Sequence, residues 1–156
     1  MAKEEKNIGI KIQEIKELSF SNKLPEDLIQ NYNEENIDLQ LGFAVKGDSK
    51  KQTVTISIII NYRYHTGNNK KSKEFLKLET ETTFKVVNYD EDDIKFNDKK
   101  NEVFINDELM SLFLNTSIGA TRGMFAYKTA SLPIKLVLPL FDLKSLIGSK
   151  EDLTLD

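Results

Sequence analysis

The chain has 156 residues, no cysteine, 30% charged residues and a net charge of −3. This length suits one domain with a sizeable core, so we expect a single domain over 1–156 with its core in 8–148. The lack of cysteine excludes disulfides, thiolate catalysis and cysteine metal sites. The acidic balance argues against nucleic acid as a partner.

No apolar run approaches the roughly 18 residues that span a bilayer, and the charged first residues predict no secretory signal. We therefore expect a cytoplasmic protein without membrane insertion.

Four segments alternate apolar and polar residues with the period of a β-strand. They are residues 8–20, 37–46, 52–65 and 73–87. In the first, Glu14 and Lys16 occupy the apolar parity, which predicts a β-bulge or kink near 13–16. Turn residues at 47–51 and 66–71 predict tight connections between successive strands. One apolar and one polar face on each strand is typical of an antiparallel sheet with one buried face.

A long helix is predicted over 107–126, because apolar side chains recur there at helical spacing. Asn106 or Asp107 can cap its first turn. We expect this helix to cover the apolar face of the sheet. Arg122 falls near the predicted end of the helix, where a cation suits the helix dipole, and we favour that explanation over an anion-binding site.

Two polar connectors and a polar tail complete the predicted elements. Residues 88–101 are acidic and polar, which indicates an exposed connector. Residues 22–36 form another connector, in which Pro25 can open a helical turn. A short helix is predicted to end at Gly148, and residues 149–156 are predicted to be disordered.

The apolar stretch 132–140 lies between the two helices, and Pro133 and Pro139 favour an extended path for it. Its leucines either pack under the long helix or form the wall of a groove that binds apolar side chains of a partner. The candidate groove residues are Phe113, Phe125, Tyr127, Leu132, Ile134, Leu136, Leu138 and Phe141.

Small residues recur four apart on the long helix, at Ser111, Asn115, Gly119 and Gly123. Such a row lets another backbone approach closely. The approaching element is either the same helix of a second subunit or the chain's own sheet, and the sequence favours neither. Each glycine costs about 1 kcal/mol relative to alanine in a helix interior, which favours a packing role.

No catalytic or metal-binding constellation is evident in the sequence. His65 is the only histidine and lies on the polar side of its strand, so a zinc site of the usual kind is not expected. Residues 91–93 lack the spacing of a calcium loop. There is no glycine-rich phosphate loop and no GxSxG motif. We therefore expect a binding protein without metal or cofactor, not an enzyme.

Three stretches resemble the SecB family of export chaperones. Residues 12–20, IQEIKELSF, look like the family's first strand, which runs Ile-Gln and then Ile-Ser-Phe. Residues 121–125, TRGMF, are similar to the family's Ser-Arg-Gly-Thr-Phe. Residues 138–143, LPLFDL, lie where the family has Leu-Ala-Pro and then Phe-Asp before its last helix. The order of four strands, long helix, extended segment and short helix also agrees, and the resemblance covers residues 8–148.

The resemblance implies an α+β fold, with a four-stranded antiparallel sheet and a long and a short C-terminal helix on one face. It implies a homotetramer built as a dimer of dimers through strands and long helices, and no cofactor. SecB proteins bind unfolded preproteins in apolar grooves and pass them to the SecA motor. SecB-like relatives protect antitoxins in toxin–antitoxin–chaperone systems.

The chain departs from the SecB pattern where SecA coupling is concerned. The proline-containing stretch before the long helix is absent at 101–107, and residues 77–79, KLE, offer no match to the acidic SecA-docking position. We therefore expect an ATP-independent holdase that serves export or antitoxin protection. Two alternatives stay open: a small-molecule or lipid carrier with a cavity between sheet and helix, and an adaptor for one cognate protein.

Overall fold

Four long strands form one antiparallel sheet in the order β1-β4-β3-β2. The strands are β1 (Gly9–Asn22), β2 (Ile37–Asp48), β3 (Thr53–Tyr64) and β4 (Lys73–Val87). This computed structural model describes residues 7–65 and 72–148. The predicted turn at 66–71 and the predicted disordered tail 149–156 lie outside the described residues. The predicted four-stranded antiparallel sheet is confirmed.

Strand β1 follows β4 with two irregularities in its register. One lies between Ile12 and Glu14, within the predicted range, and the other between Glu17 and Ser19. The first brings Ile15 opposite Thr82, a buried residue on the helix-covered face of the sheet. After the second irregularity, Phe20 pairs with Leu78 and therefore lies on the same helix-covered face. Each bulge adds one residue to β1 and so reverses the face of the sheet to which the following side chains point. The polar residues that break the alternation are accommodated in this way.

The core lies on one face of β3 and β4, where alternate residues are buried as predicted. These residues are Val54, Ile56, Ile58, Ile60, Tyr62, Tyr64, Leu76, Leu78, Thr80, Thr82, Phe84 and Val86. Helix α2 (Asp107–Thr129) covers this face. Its Phe113 ring lies 4.7 Å from that of Phe84, and its Phe125 ring stacks on Tyr62 at 5.5 Å. The helix therefore crosses the sheet from β4 to β3.

Helix α2 begins at its predicted cap and runs further than predicted. The side chain of Asn106 accepts a hydrogen bond from the Leu109 amide at 2.9 Å. The helix continues to Thr129, and Lys128 is the basic residue of the last turn. Arg122 therefore lies about two turns before the end, whereas a helix dipole acts within the last turn. The helix-dipole explanation of Arg122 is wrong.

The connector predicted over 88–101 is mostly exposed, but it contains strand structure and one buried residue that the sequence did not predict. Strands β5 (Ile94–Asn97) and β6 (Glu102–Ile105) form a small hairpin, and Ile94 is buried. The hairpin packs on Gly47 of β2, where an added Cβ would lie 2.8 Å from the Phe96 ring. Four-residue strands are too short to produce a clear alternation, so the acidic residues before them dominated the sequence pattern.

Short helices occupy the two remaining connections. Helix α1 (Glu26–Gln30) follows Pro25 as predicted and buries Leu28. A 3₁₀ turn at Glu34–Asn36 leads into β2. Helix α3 (Leu143–Gly148) packs on α2 and extends to the last residue that the structure describes. None of the helices described is long and apolar enough to span a membrane.

Candidate functional site

The segment 132–140 runs extended from the end of α2 towards α3. Ile134 and Leu138 are buried in the core, and Leu132 and Leu136 are half-buried. In contrast, 68% of Val137 and 89% of Leu140 are exposed. The segment therefore presents apolar side chains to solvent while alternate residues anchor it. An exposed apolar surface of this kind is typical of a binding site.

Three side chains from three parts of the fold hold the 132–140 segment through its carbonyl oxygens. The Tyr32 hydroxyl donates to the Lys135 carbonyl at 3.1 Å, and the Tyr62 hydroxyl to that of Val137 at 3.2 Å. The Arg122 guanidinium donates from Nη2 to the Pro139 carbonyl at 3.1 Å. Within the described part of the chain, no backbone–backbone hydrogen bond involves residues 133–140. Side chains, not strand pairing, therefore fix this segment.

Tyr62 is the most deeply buried of these three donors. Its ring stacks on Phe125, and only 4% of the residue is exposed. Burial raises the pKa of Tyr62 to about 12, and the proximity of Tyr32 adds to the shift. Burial, followed by the charge of Glu34, also raises the pKa of Tyr32. Both hydroxyls are therefore protonated donors at neutral pH.

The stability of the protein is expected to fall as the pH rises above 10, in part through Tyr62. In the unfolded chain a tyrosine ionises near pH 10, whereas the folded protein keeps Tyr62 neutral to about pH 12. Between these values ionisation favours the unfolded state by up to about 1.4 kcal/mol per pH unit. Tyr62→Phe should remove this contribution. The free energy of unfolding, measured by urea denaturation from pH 8 to 11, gives this contribution, and Tyr127→Phe is the exposed control. If the free energy of unfolding depends on pH equally in wild type and in Tyr62→Phe, the assignment is contradicted.

Two open grooves flank the 132–140 segment. The helix-side groove, of about 540 Å³, lies between the segment and the last turns of α2. The sheet-side groove, of about 520 Å³, lies between the segment and the edge of the sheet formed by β2 and β3. Besides residues of the segment, the helix-side groove is lined by Arg122, Phe125, Ala126, Thr129 and Ala130, and the sheet-side groove by Tyr32, Glu34, Ile37, Leu39 and Tyr62.

The structure brings five of the eight candidate groove residues together. The five line the helix-side groove: Phe125, Leu132, Ile134, Leu136 and Leu138. Phe125 forms its floor, since it is buried.

The other three candidates lie elsewhere. Phe113 is wholly buried against Phe84, so it faces no groove. Tyr127 is 83% exposed and lies outside the lining of either groove. Phe141 is half-buried and follows the segment.

Sequence reasoning did not identify Tyr32, Arg122 or Val137 as part of this site. Tyr32 lies in a polar connector, and nothing in its neighbourhood indicates a contact more than a hundred residues away. A signal for Val137 was present, because Lys135 and both prolines share its parity. The parity that carries a lysine is the one expected to face solvent.

The small-residue stripe of α2 faces away from the sheet. Gly119 and Gly123 are exposed, and an added Cβ at either would meet nothing within 4 Å. Asn115 is also exposed, and Ser111 is half-buried, with its hydroxyl bonded to the Asp107 carbonyl at 2.9 Å. The interpretation in which the two glycines pack on the chain's own sheet is therefore wrong.

Strand β1 is a long edge of the sheet with apolar side chains in solvent. Ile12, Ile15 and Leu18 are each more than two-fifths exposed. Only β4 pairs with β1 among the described strands. Long exposed edges with apolar side chains are uncommon in monomeric proteins, because they invite pairing with another chain.

The described residues contain no group of three or more His, Cys, Asp and Glu side chains able to hold a metal ion. The His65 ring contacts the Asn36 carbonyl at 3.0 Å, which gives it a structural role at the start of β2. Both grooves present mainly apolar surface with a few polar side chains on their lining. Such a surface is suited to binding a ligand that has apolar groups.

Comparison with known proteins agrees with the fold. No family model matches the sequence, and no curated protein matches it. Among solved structures, the chain is similar to the Mycobacterium tuberculosis Rv1957 SecB-like chaperone. That likeness has a TM-score of 0.50 and 14% identity, and covers 85% of this chain and 91% of that one. The chain has a SecB-like fold. The sheet, the long helix and the short C-terminal helix agree with the resemblance noted in the sequence.

Two further facts accompany this comparison. The SecB-like chaperone was solved in complex with a ChAD peptide from the Rv1956 HigA1 antitoxin. A Streptococcus agalactiae protein of unknown function also matches, with 10% identity over 86% of this chain and 99% of that one, at a TM-score of 0.31. The assignment of the SecB-like fold does not depend on the second match.

Proposed function

We propose that this chain is an ATP-independent chaperone that holds unfolded polypeptide segments against the 132–140 segment. The observation that carries the proposal is the pair of open grooves on either side of an extended, apolar and partly exposed segment. The SecB-like fold supports it, since a chaperone of this fold binds an antitoxin peptide. Among residues 7–65 and 72–148, neither groove is lined by a constellation of catalytic type.

The energetics of such a groove suit loose and reversible binding. Burial of one apolar client side chain contributes about 1.5–3 kcal/mol. Several such contacts, less the cost of ordering an unfolded chain, give about −8 kcal/mol, which corresponds to micromolar affinity. Contacts of this kind depend on apolar area more than on sequence, so a broad range of clients is expected.

Val137→Asp tests the site without disturbing the fold. The side chain is mostly exposed, and Tyr62 contacts only the backbone carbonyl of this residue. A charge here removes apolar contact and should weaken client binding about tenfold or more. The measurement is retention of reduced, unfolded α-lactalbumin in a soluble complex without ATP, followed by light scattering.

Phe104→Asp serves as the matched control. Phe104 is 57% exposed and lies on the β5–β6 hairpin, outside the lining of both grooves, so client retention should be unchanged. Equal weakening in both variants would show that any added charge disturbs binding. A wild-type protein that does not retain the client would overturn the proposal.

The kind of client that the protein binds decides which of two biological roles it has. We propose a cytoplasmic protein that serves either preprotein export, with SecA as partner, or antitoxin protection. The second branch has the more direct support, because the SecB-like chaperone of similar fold was solved with an antitoxin peptide. Binding of purified SecA, compared with binding of an antitoxin encoded beside this protein, separates the two.

We also propose that the chain works as a homo-oligomer, a dimer of dimers. Two surfaces support this: the edge of β1 with Ile12, Ile15 and Leu18, and the outward stripe of α2 with Gly119 and Gly123. The first is a sheet edge that no other described strand covers, with apolar side chains beside it. The second permits close approach of a second helix.

A lipid or small-molecule carrier would need a cavity between sheet and helix. That space is occupied by the rings of Phe84, Phe113 and Phe125 and by buried aliphatic residues of β3 and β4. The two grooves instead open at the surface beside the 132–140 segment. The structure therefore favours an extended polypeptide as ligand over an enclosed small molecule.

A further inference from the structure

We propose that the helix-side groove prefers client segments in which acidic residues flank the apolar ones. This rests on the proposed chaperone function and specifies the chemistry of its client. The evidence is the charge on the groove's lining, which among the residues that the structure describes contains two cations, Arg122 and Lys135, and no acidic residue. This lining is basic although the chain as a whole is acidic, with 25 Asp and Glu against 22 Lys and Arg.

Neither cation is neutralised within the described part of the chain. The ion pairs found there join Lys16 to Glu81 and Lys128 to Glu17, so neither involves the groove. Arg122 uses Nη2 to hold the Pro139 carbonyl, which leaves its other N–H groups for a ligand. The carbonyl contact also orients the guanidinium at the groove, so less freedom is lost when it binds a carboxylate.

Lys135 supplies the second cation of the lining. Its backbone carbonyl accepts from Tyr32, while its side chain is exposed and makes no ion pair in the described residues. Arg122 belongs to α2 and its guanidinium reaches across to Pro139 of the segment, whereas Lys135 belongs to the segment itself. An extended peptide in the groove therefore passes apolar surface whose lining also carries these two positive side chains.

The sheet-side groove differs in charge, and this confines the preference to one side of the segment. Lys135 lines both grooves, but Glu34 lines the sheet-side groove with it, so the charges on the described lining of that groove cancel, whereas those on the helix-side lining sum to two positive charges. Coulomb attraction alone gives the sheet-side groove no comparable preference for acidic clients. The apolar residues of a client would be accepted by either groove, and its carboxylates by the helix side.

Capped peptides of one apolar pattern test the proposal. The probes are Leu-Glu-Phe-Glu-Leu, Leu-Gln-Phe-Gln-Leu and Leu-Lys-Phe-Lys-Leu, each with blocked termini and a neutral dye, titrated with the full chain in fluorescence anisotropy at 0.1 M salt. Each exposed cation–carboxylate pair is expected to tighten binding about two- to fivefold. The Glu peptide should therefore bind more tightly than the Gln peptide, and the Lys peptide less tightly. High salt should reduce the difference.

Lys135→Glu tests whether the preference arises beside the 132–140 segment, since Lys135 lines both grooves. Its side chain supports no described contact, so the fold should tolerate the change, and the Glu peptide should lose its advantage over the Lys peptide. Lys95→Glu makes the same change in net charge on the exposed face of β5, outside the lining of both grooves, and should leave the order of affinities intact.

The outcomes separate the two proposals. Equal binding of the three peptides by wild type, or a preference for the Lys peptide, overturns the acidic preference and leaves the chaperone function standing. A preference for the Glu peptide that Lys95→Glu abolishes as fully as Lys135→Glu overturns its location in the groove. Absence of binding to every peptide overturns the proposed function and the preference together.

Discussion

Replacement of Phe113 by alanine is expected to lower the free energy of unfolding by about 3–5 kcal/mol. The side chain is wholly buried, and its ring lies 4.7 Å from that of Phe84 at the point where α2 meets β4. Truncation removes the apolar contacts of the ring and leaves a cavity. The helix cannot move in to fill this cavity, because Phe125 also packs it against Tyr62 of the sheet. A loss of this size is a large part of the 5–15 kcal/mol by which domains are stable. Urea denaturation at neutral pH measures it.

Phe104→Ala is the control, because this phenylalanine is 57% exposed on the β5–β6 hairpin. It should change stability by less than about 1 kcal/mol. The same pair addresses function, since the sequence placed Phe113 among the groove residues. Folded Phe113→Ala protein should bind client with unchanged affinity. A stability loss below about 1 kcal/mol, or a selective loss of client affinity, would contradict the buried role of Phe113.

The sheet was predictable because its central strands carry a signal of the right period. In β3 and β4, every residue that the alternation assigns to the apolar face is buried, from Val54 to Tyr64 and from Leu76 to Val86. Thr80 and Thr82, although polar, lie on the same face and are also buried. The Thr80 hydroxyl finds a partner in Thr121 of α2 at 2.8 Å, which explains why polar residues are tolerated at these positions.

The small hairpin and the site were less accessible to sequence reasoning, for different reasons. The β5–β6 hairpin has strands of four residues and depends on Gly47, which lies far away in the chain. The site depends on hydroxyls of Tyr32 and Tyr62 that reach carbonyls 103 and 75 residues distant. Local periodicity contains no information on such contacts. The extended character of 132–140 was predictable, because it follows from its prolines.

The positions of these contacts also relate the site to the rest of the fold. Tyr32 precedes β2, Tyr62 belongs to β3 and Arg122 to α2, so the 132–140 segment is held jointly by the sheet and the helix. A change in how α2 sits on the sheet would alter both the Arg122 contact and the stacking of Phe125 on Tyr62. The width of the helix-side groove therefore depends on the packing of α2, which an oligomer interface on the outer face of this helix would stabilise.

Substitution of Gly119 and Gly123 by glutamine is expected to reduce the solution mass of the protein. In the isolated chain both positions are open, with nothing within 4 Å of an added Cβ. Glutamine there should stabilise the helix by up to about 1 kcal/mol per site, since glycine is a poor helix former. In an assembly that packs a second helix on this stripe, the same side chains occupy the space of the partner backbone. Light scattering measures the mass, and urea denaturation the stability.

The opposite signs of these two effects make the experiment decisive. Loss of mass with equal or higher stability of the dissociated chain shows that the glycines serve association, because no role within the chain would give that combination. Ala126→Gln is the matched control: it enlarges an exposed small residue of α2 outside the stripe, and the mass should not change. A lower stability with unchanged mass would instead show that the glycines are required within the chain itself. A wild-type monomer would contradict the assembly outright.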